Sequence, residues 1–512
     1  MTSVRRTIVH ALFLCVLVVI GANALIYASQ AANPLIAWDG WHFLDTIVRK
    51  AAVDDLAAGD LFLKRSALDH SQPLRKLILL FHYHWFDLDY GIEAIIGVLA
   101  GFLNLGVFWL LVRAPRDAGE HAPPERAPIA LLAFAALAAV YLSLNAAVIF
   151  NWPLLTLNYT SHFFVLLFLW SAWCGYQRTD WKGLLLLFAA ALLMDVVADD
   201  TGLIATIAAV LTIALIAWRE RRMRAGLQAI AMAAAAYLVY MAFYAWIVSG
   251  SALPEHAQAG VGIGNRLTGL LNHADDVLQW ISVPLVAALA HRVQLRELIG
   301  ADTAWAETAI ALVMVMAHLW FWWRATTGRR NLSSFVATAL MLLFYGLLAG
   351  MLIARVSLQG SAYLWQPRYV LIYEWNLVAL LLMASGQLNA RDSVSSLPGD
   401  TRVTRSGKTG RMLLAIAAAL LLLLQLPLSM GTWSGLKYLS AYQQRMAGVM
   451  GAIARDPTVT PQGCAPMLLI CRYNAQRRTQ VIRFLQAHRL SVFSPAFRAR
   501  NRLYPDADAL PK

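Results

Sequence analysis

Ionisable residues crowd two short stretches between the first two apolar segments of this chain. Asp39, His42 and Asp45 lie in NPLIAWDGWHFLDTIVRK (Asn33–Lys50). Asp69, His70, Arg75 and Lys76 lie in KRSALDHSQPLRKLILLFHYHWF (Lys64–Phe86). A carboxylate such as Asp39, flanked by Trp38 and Trp41, has the chemistry of a general base that takes a proton from an acceptor hydroxyl. It equally has the chemistry of a ligand to a divalent cation that bridges phosphate oxygens, and its plainer reading is a solvated loop aspartate. Pro73 closes an extended segment and opens the apolar, helix-like run Leu74–Phe86. Asp69 and His70 precede that start, where a helix N-terminus favours anions; the plainer reading of His70 is a neighbour of the helix cap. Arg75 and Lys76 fall in the first turn, where positive charge opposes the helix dipole, so an anionic partner explains them better than helix stability does.

The elements that must position these residues are membrane helices. The chain has 512 residues, 59% of them hydrophobic and 14% charged, against about 25% charged in a soluble domain. Its mean hydropathy is +0.57. Apolar runs long enough to cross roughly 30 Å of hydrocarbon recur along its length. The pattern predicts an all-α, polytopic helical membrane protein with about eleven transmembrane helices, and not a β-barrel of short alternating strands. The expected spans are 7–29, 92–113, 128–147, 157–175, 183–198, 202–218, 227–248, 304–323, 333–354, 368–386 and 411–430. Two of them abut at Asp199-Asp200-Thr201-Gly202, which reads as a tight turn. The net charge of +13 fits Lys and Arg anchoring cytoplasmic loops and meeting anionic membrane lipid; nucleic acid is not an expected partner.

Every second loop is short and basic. Arg5 and Arg6 begin the series; Arg178 and Lys182, then Arg219 to Arg224, then Arg324 to Arg330 continue it. The positive-inside rule puts these in the cytoplasm with the N-terminus, and puts residues 30–91, 249–303, 355–367 and the tail after 430 on the periplasmic side of a bacterial inner membrane. The N-terminal segment reads as a retained signal anchor, although Ala22-Asn23-Ala24 has the form of a cleavage site. Trp280–Ala290 is too short for a confident span and fits a re-entrant or interfacial helix. The expected organisation is a transmembrane domain over 1–430, with a large first periplasmic loop, and a small periplasmic segment over 431–512. With the tail outside the cytoplasm, Cys464 and Cys471 are placed either to form a disulfide or to remain thiols.

Other groups carry less. Asp195, inside a span, is either a proton-relay group or a hydrogen-bond partner for a neighbouring helix, the second being favoured. His82 and His84 are two apart, so they do not share a helix face and are not a metal pair. The glycines of Gly260–Gly264 follow no strand and are no nucleotide fingerprint.

Trp38-Asp39-Gly40-Trp41-His42-Phe43 resembles the Asp-Glu-x-x-Phe region of the GT-C superfamily of membrane glycosyltransferases. His70-Ser71-Gln72-Pro73-Leu74-Arg75-Lys76-Leu77 resembles their His-Pro-Pro-Leu-x-Lys-Leu-Leu element. Protein mannosyltransferases and the lipid A aminoarabinose transferase share this layout. The matching residues cover about fifty positions, and the rest agrees in topology. Two positions depart: Gly40 stands where the family has a second acid, and Gln72 where it has a proline. The resemblance implies an inverting transfer from a polyprenyl-phosphate-linked sugar to a periplasmic glycan, lipid or protein acceptor. Asp39, Asp69 and His70 would be catalytic, with Asp39 the base. His42, Asp45, Arg75, Lys76, Arg368 and Tyr369 would bind substrate, and a divalent cation, Mg or Mn, would sit on Asp39 and Asp69. Arg368, at the mouth of the tenth span, reads alternatively as an interfacial arginine beside Trp365 and Tyr369. The rival readings are a ligase or polymerase of lipid-linked glycans, and a transporter or flippase, which would call for internal repeats and charges near the bilayer midplane.

Overall fold

The computed structural model describes residues 3–64, 71–113, 127–198, 200–249, 262–328, 330–391 and 401–503, and among them it contains helices and no strand. Ten of these helices are long and apolar enough to cross a membrane. They coincide with ten of the eleven spans expected from sequence, and the chain is a multi-pass helical membrane protein. The remaining expected span, 128–147, is cut short. Its helix, Ala127–Tyr141, has 15 residues, a rise of roughly 22 Å. The polar residues that follow leave the helix to make side-chain bonds instead. Ser143 Oγ donates to Gln425 (2.6 Å), Asn145 Nδ2 donates to the carbonyl of Ala287 (2.8 Å), and Asn145 Oδ1 accepts from the amide of His291 (2.6 Å).

Between helices, where lipid supplies no hydrophobic drive, close approach relies on small residues. Ala225, Ala229, Ala233 and Ala236 form a buried stripe on Met223–Val248, which packs against Trp181–Ala198. Leucines such as Leu99, Leu103, Leu185 and Leu211 face outward instead. At one end of the bundle the basic loops meet. Arg219 donates to the carbonyl of Ala325 (2.6 Å), Arg222 to Gln177 (3.1 Å), and Arg330 pairs with Glu220 (3.2 Å).

The other end gathers the segments expected on the opposite side. Val277–Leu289, 13 residues with Pro284 inside it, is too short to cross and buries Val283–Ala288 against neighbours that include Ala304–Thr327 and Val370–Arg391. His291 follows it as the N-cap of Arg292–Ile299. Its Nε2–H donates to the carbonyl of Trp365 (2.7 Å) while Nδ1 accepts from the amide of Val293 (3.3 Å). This arrangement needs the neutral ring.

The first loop and the tail fold together at this end. Leu35, Ile36, Trp41, Leu44 and Val48 share one core with Met446, Met450, Ile453, Val481, Leu485 and Phe497. Polar ties reinforce it: Arg500 to Asp89 (2.7 Å), Ser494 to Asp87 (2.8 Å), and Gln443 to the carbonyls of Ala31 and Ala32 (both 3.1 Å). Cys464 and Cys471 form a disulfide. Within the tail, the buried Arg478 donates to the carbonyls of Pro457, Thr458 and Tyr473 and to the hydroxyl of Thr460.

Two outcomes follow. Arg478→Met strips several buried carbonyls of their donor and lowers the stability of the capped end by about 3 kcal/mol, which limited proteolysis of the tail in the full-length protein will register as faster cleavage. Burial, with some help from Arg292, holds the His291 pKa below its usual value of 6.5, against the opposing hydrogen bond to Trp365. The unfolded chain therefore takes up this proton first. The contribution of His291 is complete above pH of about 6.5 and is lost as pH falls below it. Thermal melts between pH 7 and 5 will fall more steeply for the wild type than for His291→Gln.

Candidate functional site

Asp39 opens the short helix Asp39–Phe43. The residue before it, Trp38, has φ 48° and ψ −121°, outside every well an L-residue prefers, at a cost on the order of 1–3 kcal/mol. Such a conformation persists only when its surroundings fix it. Here the Trp38 amide donates to the carbonyl of Met467 (2.8 Å), inside the loop closed by the Cys464–Cys471 disulfide, and its ring lies 5.9 Å from that of Trp152. The tail thus helps set the backbone that carries Asp39.

Gly40 is required by packing. A Cβ at this position would come within 2.8 Å of the Tyr90 hydroxyl and 3.0 Å of its ring. The second acid of the resembled family has no room beside Asp39 in this chain.

Gln72 is the second departure, and it too has a local reason. Its φ is 52° and its ψ 50°, a left-handed conformation that proline, fixed near −65°, cannot adopt. From there its side-chain carbonyl accepts from Arg75 Nη1 (3.2 Å). The other guanidinium nitrogen of Arg75, Nη2, donates to Asn158 Oδ1, at the start of Asn158–Arg178. That helix is brought close by Gly97, whose Cα faces the backbone of Thr156 with no space for a side chain. Burial lowers the Arg75 pKa to about 10, against the raising influence of Glu93 and Asp39, so the guanidinium remains charged at neutral pH within electrostatic range of both carboxylates.

Of the sequence candidates, Asp39 lies within electrostatic range of Arg75. The other sequence candidates are distributed differently. Lys76 is buried and gives its ammonium to the carbonyls of Asp60, Leu61 and Leu63 (3.0, 2.9 and 2.7 Å), tying Pro73–Trp85 to Ala58–Phe62. Asp45 bridges Arg49 (3.2 Å) and Arg477 of the tail. His42 lies on the Asp39 helix, half-buried, its ring 6.0 Å from that of Phe43. Arg368 sits between Tyr363 and Tyr369, with its guanidinium 5.3 and 5.1 Å from their rings, one nitrogen donating to the Tyr363 hydroxyl, and a buried Nε without a partner among the described residues. Asp69 and His70 lie outside the described residues.

Several further buried polar groups were not singled out from sequence, apart from His82, which was weighed there only as a metal ligand. His82 Nδ1 and Glu93 Oε1 are 3.0 Å apart, both fully buried. Asn104, Tyr141 and His162 form a chain of hydrogen bonds (2.8 and 3.0 Å) packed on Trp375. Glu374 is buried with neither carboxylate oxygen hydrogen-bonded among the described residues. A carboxylate inside an apolar span is itself a signal, and that rule would have found Glu93 and Glu374. Asp195 was expected to bond a neighbouring helix. Instead both its oxygens lack a partner among the described residues and one faces Gly202, 2.8 Å from where a Cβ would lie.

Asp39 has no adjacent acid, and among the described residues no group of three or more His, Cys, Asp or Glu is arranged to hold an ion; Asp69, the second candidate metal ligand, lies outside the described residues. No protein-family model matches the chain, and no curated protein or solved structure matches it either.

Gly40→Ala will cost about 1–3 kcal/mol through overpacking against Tyr90. Combining it with Tyr90→Phe, which removes the nearest atom, will recover part of that loss in thermal melts; equal melts for the single and double variants would refute the contact.

Proposed function

We propose that this protein is an inner-membrane glycosyltransferase of GT-C type, with the first loop and the tail in the periplasm and the N-terminus in the cytoplasm. It moves a sugar from a polyprenyl-phosphate donor to a periplasmic glycan, lipid or protein hydroxyl. The observation that carries this reading is a half-exposed carboxylate, Asp39, on the first loop, within electrostatic range of the charged guanidinium of Arg75. The disulfide in the tail supports an oxidising compartment for that face.

In the transfer, Asp39 accepts the proton of the acceptor hydroxyl. The acceptor oxygen bonds to the anomeric carbon as the bond from that carbon to the phosphate oxygen breaks, with inversion. The polyprenyl phosphate leaves with the bonding electrons, and Arg75 stabilises the charge that collects on it. Arg368, whose buried Nε has no hydrogen-bond partner among the described residues, is the second candidate for the lipid phosphate.

A transporter or flippase is the second reading. It is favoured by Asp195 and Glu374, two carboxylates in membrane-spanning helices whose oxygens have no hydrogen-bond partner among the described residues.

Asp39→Asn keeps the shape of the side chain and removes its basicity. Turnover of polyprenyl-phosphate sugars by the purified variant is expected to fall by about 10²-fold or more, with expression and donor binding retained. Wild-type turnover that survives the substitution would remove Asp39 as the base. A wild type that turns over no such donor, yet moves one across proteoliposomes, would establish the transporter instead.

A further inference from the structure

We propose that the helix Pro73–Trp85 lies in the membrane surface on the first-loop side, with one apolar stripe seated among the lipid chains of that leaflet. This inference does not rest on the transferase reading.

Two polar ties set the direction of the helix. Near its start, Arg75 Nη2 donates to Asn158 Oδ1, and Asn158 opens the spanning helix Asn158–Arg178. Further along, His82 Nδ1 is 3.0 Å from Glu93 Oε1, and Glu93 lies in the first turn of the spanning helix Tyr90–Val112. Arg75 and His82 are roughly 10 Å apart along the helix axis, yet each reaches the first turn of a span. The helix therefore runs across the end of the bundle and not along it.

Its two faces differ. Pro73, Lys76, Leu79 and His82 are buried, Leu79 in the core shared with the tail. Leu77, Phe81 and Trp85 follow one another at the i, i+4 spacing of a single face and are 49, 41 and 67% exposed. The rings of Phe81 and Trp85 are 4.8 Å apart, so the stripe is continuous, and a continuous apolar face is costly in water.

The lipid-facing surface of the bundle runs on into this stripe. Leu99 and Leu103 point outward from the helix that anchors His82. Leu193 points outward from Trp181–Ala198, which packs against Pro73–Trp85. Lys76 ties the helix to Ala58–Phe62, whose Phe62 ring lies 5.3 Å from that of Phe243, edge to face, in the spanning helix Met223–Val248. In the last turn of that helix Trp246 is 71% exposed, and tryptophans so placed mark a membrane interface. An amphipathic helix at this depth buries its apolar face about 5–10 Å into the boundary between head groups and acyl chains.

The test uses the full-length protein in phosphatidylcholine nanodiscs. Cys15→Ser and Cys174→Ser remove the free thiols and leave the tail disulfide. Single spin labels at Leu77→Cys, Phe81→Cys and Trp85→Cys are compared with one at Val459→Cys, an exposed position in the tail. The stripe labels are expected to collide with oxygen, which concentrates in lipid, several-fold more than with a water-soluble nickel complex; the label at Val459 should show the reverse. Stripe labels that favour nickel overturn the proposal. So do stripe labels shielded from both reagents, because protein, such as a second copy of this chain, then covers the face. The unsubstituted protein gives a measurement that no misfolded variant can blur: photolabelling by phosphatidylcholine with a diazirine on its acyl chain. Adducts are expected on the peptide holding Leu77, Phe81 and Trp85 as well as on that holding Leu99 and Leu103. Adducts on the second peptide alone overturn the proposal.

Discussion

A charged, partly buried guanidinium at the end of a membrane bundle is the constraint around which this end of the molecule is organised. Such a group is tolerated only where partners replace the water it has lost. Each partner of Arg75 places a demand on the chain that supplies it. Gln72 must adopt a left-handed backbone just before the helix begins, so a proline is excluded there. Asn158 must open a helix at the right height, which depends on Gly97 allowing the preceding segment to lie against Tyr90–Val112. Glu93, on that same helix, contributes opposing charge and is itself anchored by His82. One partly buried charge therefore ties together the first loop and two spanning helices.

The second dependency runs across almost the whole length of the sequence. The first loop is too short and too polar to bury a core by itself, and so is the tail. Together they form a single apolar cluster, cross-linked by Asp45 with Arg477, Asp87 with Ser494, and Asp89 with Arg500. The unfavourable backbone at Trp38 is held from the tail side through Met467. Asp39 thus owes its placement to residues more than 400 positions away. Stability of the tail and geometry at Asp39 are parts of the same packing problem, and the disulfide that closes the Met467 loop acts on both.

Much of the membrane architecture was legible in the sequence because lipid imposes a simple rule: backbone polar groups must be satisfied within the segment, so a long apolar run is a helix. The one span that came out short, Ala127–Tyr141, ends in Ser143 and Asn145. Their bonds go to segments distant in the chain, and no local pattern announces this. The candidate site was legible by residue type only. Asp39 and Arg75 stood out because charge is conspicuous at the edge of apolar helices. Lys76 and Asp45 stood out for the same reason, yet they hold the carbonyls of Asp60, Leu61 and Leu63 and the arginines Arg49 and Arg477. Glu93, His162 and Glu374 escaped notice because single polar residues inside apolar runs do not disturb the hydropathy signal.

The sequence by itself determined that this is a multi-pass helical membrane protein, which loops are basic, and that the first loop carries carboxylates and cations. Those follow from composition and period, which are local properties of the chain. Only the tertiary structure decided which charges meet. Side-chain partnerships depend on how helices far apart in sequence approach, and that approach is fixed by small contacts such as Tyr90 over Gly40 and Thr156 over Gly97, which hydropathy does not encode.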